Sequence, residues 1–587
     1  MKMGNEIYCK VLFSGKKKSR PAGEKEDTCP RRHCSAGFER KGKRMSAYPI
    51  YQVDYYKNFR EMLFGIAQKY AQKPAITWYP RTGCAQTKSY RDLEMDALLF
   101  AEALCAHGLQ GKHIAIAAEN SYEWVCAFLG IVACGSVAIC IDAEQTAESM
   151  LGMAKCADAE MVLVSQRVAP LLCPLLLEVG IQTVVMGAYS GVQSLEEFCS
   201  AGRELTQGKD TAAHCRIDGE QPAAIVFTAG TTGLPKPVVL SQYGLMTNAS
   251  EYIAMISPAP KVFCSLPFYC PHGLTCGLLG ILIGGANLGI SGAEKQEDMT
   301  AFDAQSIIAL PHRAVQLYQK LMEGVRQAGR QRQVKRLLKV NAFLHRMGIR
   351  RPYRQLVQEK KRITGQLEMI VCGGAHLPRM VAQNLLAFGV LVLECYEAAE
   401  CSPLIAANRK HSYEFSSGGH VLPSLELKVI DGEICVRGPS VMLGYYGREQ
   451  ETKEVLRDGW FHTGDMGHRN RRKFLYIAGR KKNLIILKNG RKISAEEIEM
   501  YLAELPLVKE AVAYGDMGEG PAGGAKLAVL IYPDEAQCKG MGQREILERL
   551  QREIDWLNLK LPAYKQIQAV HLRISAFEKT LSYKIKR

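Results

Sequence analysis

The sequence opens without an apolar leader. Residues 1–44 carry 13 Lys and Arg against 5 Asp and Glu, with almost no apolar periodicity. No secretory signal is expected at this end, and a reduced, cytoplasmic setting is expected. Long apolar runs are scarce as well. Residues 124–141 and 274–291 are uncharged over 18 positions, the lower limit for a membrane-spanning helix. Glycines interrupt both (Gly135; Gly284 and Gly285), and the second halves read as strands, so each is expected to be a buried helix followed by a buried strand. No internal repeat is found. The 20 cysteines lack zinc-finger spacing, because the one cluster, CPRRHC with Cys29, His33 and Cys34, has no second pair. They are expected to be reduced core thiols. General basic character is missing too: of the net +16, the first 44 residues supply +8 and residues 313–362 supply +13, leaving the rest at −5. No nucleic-acid partner is expected from such local charge.

What is present is a globular composition, 47% hydrophobic and 23% charged over 587 residues, long enough for several subdomains. Strand-like runs (HIAIAAE at 113–119, then SVAICI, MVLVSQ and TVVMG) alternate with helical segments. That alternation predicts an α/β fold with doubly wound parallel sheets. Residues 1–44 read as a disordered arm, and folded sequence starts at Met45.

Between two strand-like runs lies FTAGTTGLPKPVVLS (227–241). Its glycines allow backbone N–H groups to turn toward an anion, its threonines add hydroxyl donors, and Lys236 adds a mobile cation. A Walker loop needs four residues between its glycines and a helix after the lysine; here a strand follows. On these residues alone, a phosphate cradle and an ordinary glycine-rich connection both remain open.

Six further motifs follow in order: VCGGAHL (371–377), CYEAAECSP (395–403), GEICVRGPSVMLGYY (432–446), DGWFHTGDMG (458–467), YIAGRKKNLIILKNGRKISAEEIE (476–499) and EKTLSYKIKR (578–587). Together they resemble the adenylate-forming superfamily of acyl-CoA synthetases, adenylation domains and luciferases, from about Tyr48 to the last residue. The resemblance implies a large N-terminal AMP-binding domain (45–480) of doubly wound sheets plus a small barrel. A small mobile α+β C-terminal domain (481–587) would follow a hinge at Lys482. It implies that Thr228, Thr231, Thr232 and Lys236 hold the ATP β- and γ-phosphates, with Thr228 and Glu400 at Mg2+. Tyr396 would stack on adenine and Gly374 and Ala375 line its other side. Asp465 and Arg480 would hold the ribose, and Lys584 would bridge carboxylate and α-phosphate during acyl-adenylate formation. Rotation of the small domain would then present the loop around Gly490 and admit a thiol, coenzyme A or the phosphopantetheine of an acyl carrier protein. Separately, Ser494 and Glu497 read as a capping box opening the small domain's first helix.

Several positions depart from the family pattern. Ala229 replaces serine, Pro237 glycine, Cys270 histidine, Glu397 glycine, Ala399 threonine and Tyr583 glycine. A lost hydroxyl at Ala399 costs about 1.5–3 kcal/mol toward a phosphate, and alanine there is also seen in fatty acyl-AMP ligases. Glu397 puts a carboxylate beside the acyl pocket, and such substitutions also fit a degenerate ATP-binding homologue. The acid is read from the basic helical segment before VCGGAHL, an insertion similar to that of long-chain fatty acyl-CoA synthetases. Within it Leu337, Val340, Leu344 and Met347 form an apolar stripe among cations. The stripe packs on the protein's own core, or rests peripherally on an anionic membrane.

Overall fold

The β-branched runs of the first half become strands, and the segments between them helices. Strands His113–Ala117, Val137–Ile141, Met161–Ser165 and Gln182–Met186 alternate with helices Tyr122–Ala133, Ala147–Cys156 and Ala169–Glu178. In this computed structural model, residues 51–80, 84–206, 215–228, 235–257, 259–291, 296–487, 491–516, 526–579 and 585 are described. The expectations for the arm 1–44, its cysteine cluster, Ala229, Thr231, Thr232, Gly490, Tyr583 and Lys584 fall outside them. Both 18-residue uncharged stretches turn out as read. Helix Tyr122–Ala133 leads into strand Val137–Ile141, and the helical turns Gly273–Leu279 and Gly280–Ile283 lead into strand Asn287–Ile290. No helix among the described residues is long and apolar enough to cross a membrane.

Two large sheets carry the fold. A seven-stranded sheet is parallel through its centre, and its antiparallel edge is the hairpin Pro222–Thr228 and Lys236–Ser241, closed by Gly444–Tyr445. A nine-stranded sheet has parallel Lys261–Cys264, Ser306–Ala309, Met369–Cys372 and Leu391–Glu397 at its middle. One extensive apolar core joins the two, with Trp124, Tyr252, Phe59 and Phe128 fully buried.

Helix Gln242–Ile256, buried on nearly every residue, locks that core through its polar side chains. Gln242 accepts from the Phe59 amide and donates to the Val132 carbonyl, at 3.0 and 2.9 Å. Asn248 donates to the carbonyls of Cys401 and Leu404, at 3.0 and 2.8 Å. These bonds satisfy groups that burial would otherwise penalise, and they pin the turn that carries Glu400.

The expected small barrel takes the form of an antiparallel sheet of five strands. Trp460–Arg469 pairs with Glu433–Arg437, Leu456–Arg457 and Leu475–Arg480. Beyond it the chain forms a hairpin (Leu484–Ile486 with Lys492–Ser494). A three-stranded sheet (Val508–Asp516, Lys526–Pro533, Ala569–Leu572) then packs helices Ala495–Leu502 and Gln543–Asn558 around a core of its own. Ser494 caps helix Ala495–Leu502 by accepting from the Glu497 amide at 3.2 Å. The reciprocal half of the capping box is replaced: the Glu497 carboxylate takes Lys565 Nζ at 2.6 and 2.8 Å.

The basic segment folds as helices Pro311–Gln327, Gln331–Arg346 and Arg354–Thr364. The buried face of the middle helix is Val334, Leu338, Asn341 and His345. His345 stacks on Phe415 and Asn341 donates to the Gln383 carbonyl. The apolar stripe read from the sequence lies on the other side. Leu337 and Leu344 are half-buried, while Val340 and Met347, with Phe343 beside them, are 51%, 63% and 62% exposed.

Candidate active site

The C-terminal ends of the strands bring the motifs together, the usual place for a ligand in an open α/β sheet. Asp465 sits mid-strand in Trp460–Arg469, opposite Arg480 in the antiparallel register. Arg480 Nε lies 2.7 Å from Asp465 Oδ1. Tyr396, near the end of strand Leu391–Glu397, donates its hydroxyl to Asp465 Oδ2, also at 2.7 Å. The carboxylate is nearly buried, the arginine half-exposed. Burial, and then the Asp465 charge, hold the Tyr396 phenol well above its usual range, so it stays a donor. DGWFHTGD and AGRKKN, quoted separately from the sequence, are thus one hairpin with one ion pair.

Four residues after Tyr396, Glu400 occupies a single helical turn, Ala399–Cys401. Its Oε1 accepts the Tyr445 hydroxyl at 2.8 Å. Thr228 ends the first strand of the phosphate-loop hairpin and lies opposite Lys236 in register. Lys236 Nζ stands over the Tyr445 ring, 4.9 Å from its centroid, and pairs with Glu451 at 2.6 Å. Tyr445 therefore links the loop lysine to the acid of YEAAE. Its phenol is raised by burial and next by Glu400. Tyr445 and Glu451 were not singled out from the sequence. The only signal for them was GYYGREQE following the GEICVRGP motif.

Gly374 closes the turn after strand Met369–Cys372 at φ +80, a left-handed conformation that favours glycine. Ala375 beside it is exposed, and Ala399, in the turn that carries Glu400, is half-buried. Gly479 precedes Arg480 at φ +138, where a Cβ would collide with Ser494 and Glu496. Arg480 and Lys481 are both anchored, the latter on Glu433 at 2.8 Å. Lys482 follows in the exposed turn Lys481–Asn483. Near the other end of the small domain, Glu510 holds the tail: it accepts the Phe577 amide at 2.9 Å and pairs with Lys579 at 2.6 Å. Sequence reasoning missed this anchor.

The arrangement gathers an acceptor for two hydroxyls (Asp465), an aromatic ring beside it (Tyr396), a hard oxygen donor (Glu400), a hydroxyl (Thr228) and a cation (Lys236). Comparison with known proteins identifies the family. The AMP-binding enzyme family matches residues 63–446, and the AMP-binding enzyme C-terminal domain matches residues 482–587. Among curated proteins, the chain is 26% identical to a probable acyl-activating enzyme 16, chloroplastic, of Arabidopsis thaliana, covering 82% of this chain and 77% of that protein. It is 25% identical to a long-chain-fatty-acid–CoA ligase of Salmonella typhimurium (82% and 87% covered). It is 24% identical to a chloroplastic long-chain-fatty-acid–acyl-carrier-protein ligase of Arabidopsis thaliana (81% and 76%). Its fold is similar to that of the anthranilate CoA ligase AuaEII in complex with anthranoyl-AMP (TM-score 0.72, 18% identity, 92% and 97% covered). ATP-bound MatB from Rhodopseudomonas palustris gives TM-score 0.72 at 22% identity, with 90% and 97% covered. The chain belongs to the AMP-binding enzyme family.

Proposed function

We propose that this protein uses ATP to activate a carboxylic acid as its acyl-adenylate and then passes the acyl group to a thiol. The observation that carries the reading is the Asp465 carboxylate, held by Arg480 and by Tyr396, the tyrosine standing four residues before Glu400 in the sequence. In this reading Asp465 and Arg480 receive the ribose, Tyr396 and the Gly374–Ala375 backbone the adenine, and Lys236 with Thr228, Thr231 and Thr232 the outer phosphates. A triphosphate has to draw the Lys236 ammonium away from Glu451, so the 2.6 Å pair marks a resting position for that cation. Thr228 and Glu400 are oxygen donors of the kind Mg2+ takes. Bound there, the ion would neutralise charge on the phosphates.

Lys584 is proposed to stabilise charge developing between carboxylate and α-phosphate. The unit 45–480 would bind ATP and acid, and 481–587 would swing about Lys482 to switch half-reactions. The acid proposed is a long-chain fatty acid, supported by the names of the relatives and by the basic helical insertion. The acceptor proposed is coenzyme A. A carrier-protein phosphopantetheine is the second reading, favoured by Ala399 and by the relative named as an acyl-carrier-protein ligase. The exposed apolar residues of helix Gln331–Arg346, set among Lys335, Arg336 and Lys339, are proposed to meet an anionic membrane surface, and the protein to be cytoplasmic and peripheral.

A pyrophosphate-release screen across acids, with product analysis in the presence of coenzyme A or of a phosphopantetheinylated carrier protein, tests this reading. Acyl-CoA formation from long-chain acids supports it. Acyl-adenylate that moves only to the carrier protein selects the second reading. ATP binding without pyrophosphate release from any acid makes the protein a degenerate, non-catalytic homologue.

A further inference from the structure

Glu397, the residue after Tyr396, is the carboxylate that departs from the family pattern named above. Its Oε2 is bonded to His272 Nδ1, from a residue 125 positions earlier at the start of the helical turns Gly273–Leu279. Both side chains are nearly buried, 3% and 13% exposed. The carboxylate lies against the glycine turn of VCGGAHL, where a Cβ on Gly374 would come 2.8 Å from Glu397 Oε1 and one on Gly373 would come 3.1 Å from Oε2. The pair also borders the buried thiol of Cys276, which burial and then the Glu397 charge raise.

Two polar atoms of the pair are left over. His272 Nε2 is buried with no hydrogen-bond partner among the described residues. Among the described residues, Glu397 makes one hydrogen bond, through Oε2. A purely structural pair in an apolar setting would have its buried polar atoms satisfied, because a buried orphan such as Nε2 is costly. Oε1 of the carboxylate is an acceptor, while Nε2 accepts in a neutral imidazole protonated at Nδ1 and donates in the imidazolium, and a hydroxyl can meet it in either form. What Oε1 lacks is a donor.

We infer that His272 and Glu397 form a recognition point for a hydrogen-bond donor on the acid, and that this protein selects acids bearing a hydroxyl or amino group close to the carboxyl over plain alkyl acids. The inference rests on the proposed acyl-adenylate chemistry for the location of the carboxyl end. Glu397 adjoins the nucleotide-side Tyr396 in the chain and precedes Glu400 by three residues, so the pair reads the reacting end of the acid and leaves the remote chain unconstrained. A plain methylene in that place leaves the buried Nε2 without a partner and Oε1 without a donor, and a site built to bond a substrate hydroxyl rejects the analogue lacking it far more strongly than an apolar pocket rejects an extra methylene.

The test compares kcat/KM for pyrophosphate release with hexadecanoate and with its 2-hydroxy and 3-hydroxy counterparts, in the wild type and in Glu397→Gly. The same pairs are presented as acyl-sulfamoyl adenosines in calorimetric titrations. The wild type is expected to favour one hydroxylated acid by about tenfold or more, and Glu397→Gly to bring the ratio to unity or reverse it. Equal treatment by the wild type, or a ratio unchanged in Glu397→Gly, overturns the inference. Should no acid release pyrophosphate, the adenylation reading fails, and analogue affinity alone decides. A tenfold preference for the hydroxylated analogue that Glu397→Gly abolishes upholds the recognition point. Equal binding, or no binding, overturns it.

Discussion

The Tyr396 hydroxyl donates to Asp465 Oδ2 at 2.7 Å, while Arg480 holds Oδ1 of the same carboxylate at the same distance. One buried acid therefore orients two residues contributed by other strands. Removing it as Asp465→Ala deletes the acceptor proposed for the ribose and leaves the Tyr396 hydroxyl buried without its partner. At about 1.5–3 kcal/mol for a bond to a charged group, affinity for ATP should fall about 10- to 100-fold. Tyr396→Phe, which leaves the Asp465–Arg480 pair in place, should fall by less. Calorimetric titration with a non-hydrolysable ATP analogue measures both, and equal losses would place the tyrosine and the aspartate in one indivisible unit.

Lys584→Ala is expected to lower acyl-adenylate formation by orders of magnitude while leaving ATP binding nearly intact, because the lysine is proposed to act on charge present only in the transition state. Thioester formation from supplied acyl-AMP and coenzyme A should survive. Glu510→Ala, which frees the tail at Phe577 and Lys579, should reproduce part of this defect with the same selectivity. Equal loss of both half-reactions in Lys584→Ala would remove the lysine from its proposed role.

Glu251 predicts a pH dependence. It lies in the core helix, accepts from the Ser424 amide and hydroxyl at 2.8 and 2.9 Å, and is pushed up to about 7 by burial, which those two bonds only partly offset. A folded-state pKa above the unfolded value means that ionisation is easier in the unfolded chain. Nothing is lost below about pH 4, where the acid is protonated in both states; stability declines as pH rises from the unfolded value toward 7 and levels off above it, where the acid is ionised in both states. Glu251→Gln, which cannot ionise, should be more stable than the wild type at pH 8 by on the order of 3 kcal/mol. The gap should close near pH 4.5. Urea denaturation at the two pH values reads the difference; a gap of the same size at both would assign it to packing.

The exposed face of helix Gln331–Arg346 makes an ionic-strength prediction. Cations adjacent to an anionic surface contribute about 1 kcal/mol each, within a Debye length, and Val340, Phe343 and Met347 add shallow insertion. Binding to vesicles containing phosphatidylserine should be strong at low salt and weak at high salt. Reversal of Lys335, Arg336 and Lys339 to glutamate should weaken it without changing activity on a short, soluble acid. Absence of binding at low salt, or binding untouched by the reversal, would leave the helix a solvated face of the insertion.

How much of this could be read beforehand depended on whether the signal was local. Asp465, Arg480, Tyr396 and Glu400 each sit in a short motif whose residue types follow from the nearby backbone, and the parallel sheets follow from the alternation of strands and helices. The long-range partners were invisible: Lys236 meets Glu451 and Glu397 meets His272 across more than a hundred residues, and no local period encodes such a meeting. The stripe on helix Gln331–Arg346 shows a different limit. Counting apolar residues picked Leu337, Val340, Leu344 and Met347, but the buried face includes Asn341 and His345, polar residues that the core accommodates through a carbonyl and an aromatic ring. Burial, not polarity, decided that face.

The most direct test of the central claim is acid-dependent exchange of labelled pyrophosphate into ATP, run without any thiol. The exchange isolates the first half-reaction, so it does not depend on the acceptor. Exchange is expected to require both a carboxylic acid and Mg2+ and to collapse in Asp465→Ala and Lys584→Ala. Exchange absent with every acid, in a protein that still binds ATP, would contradict the claim.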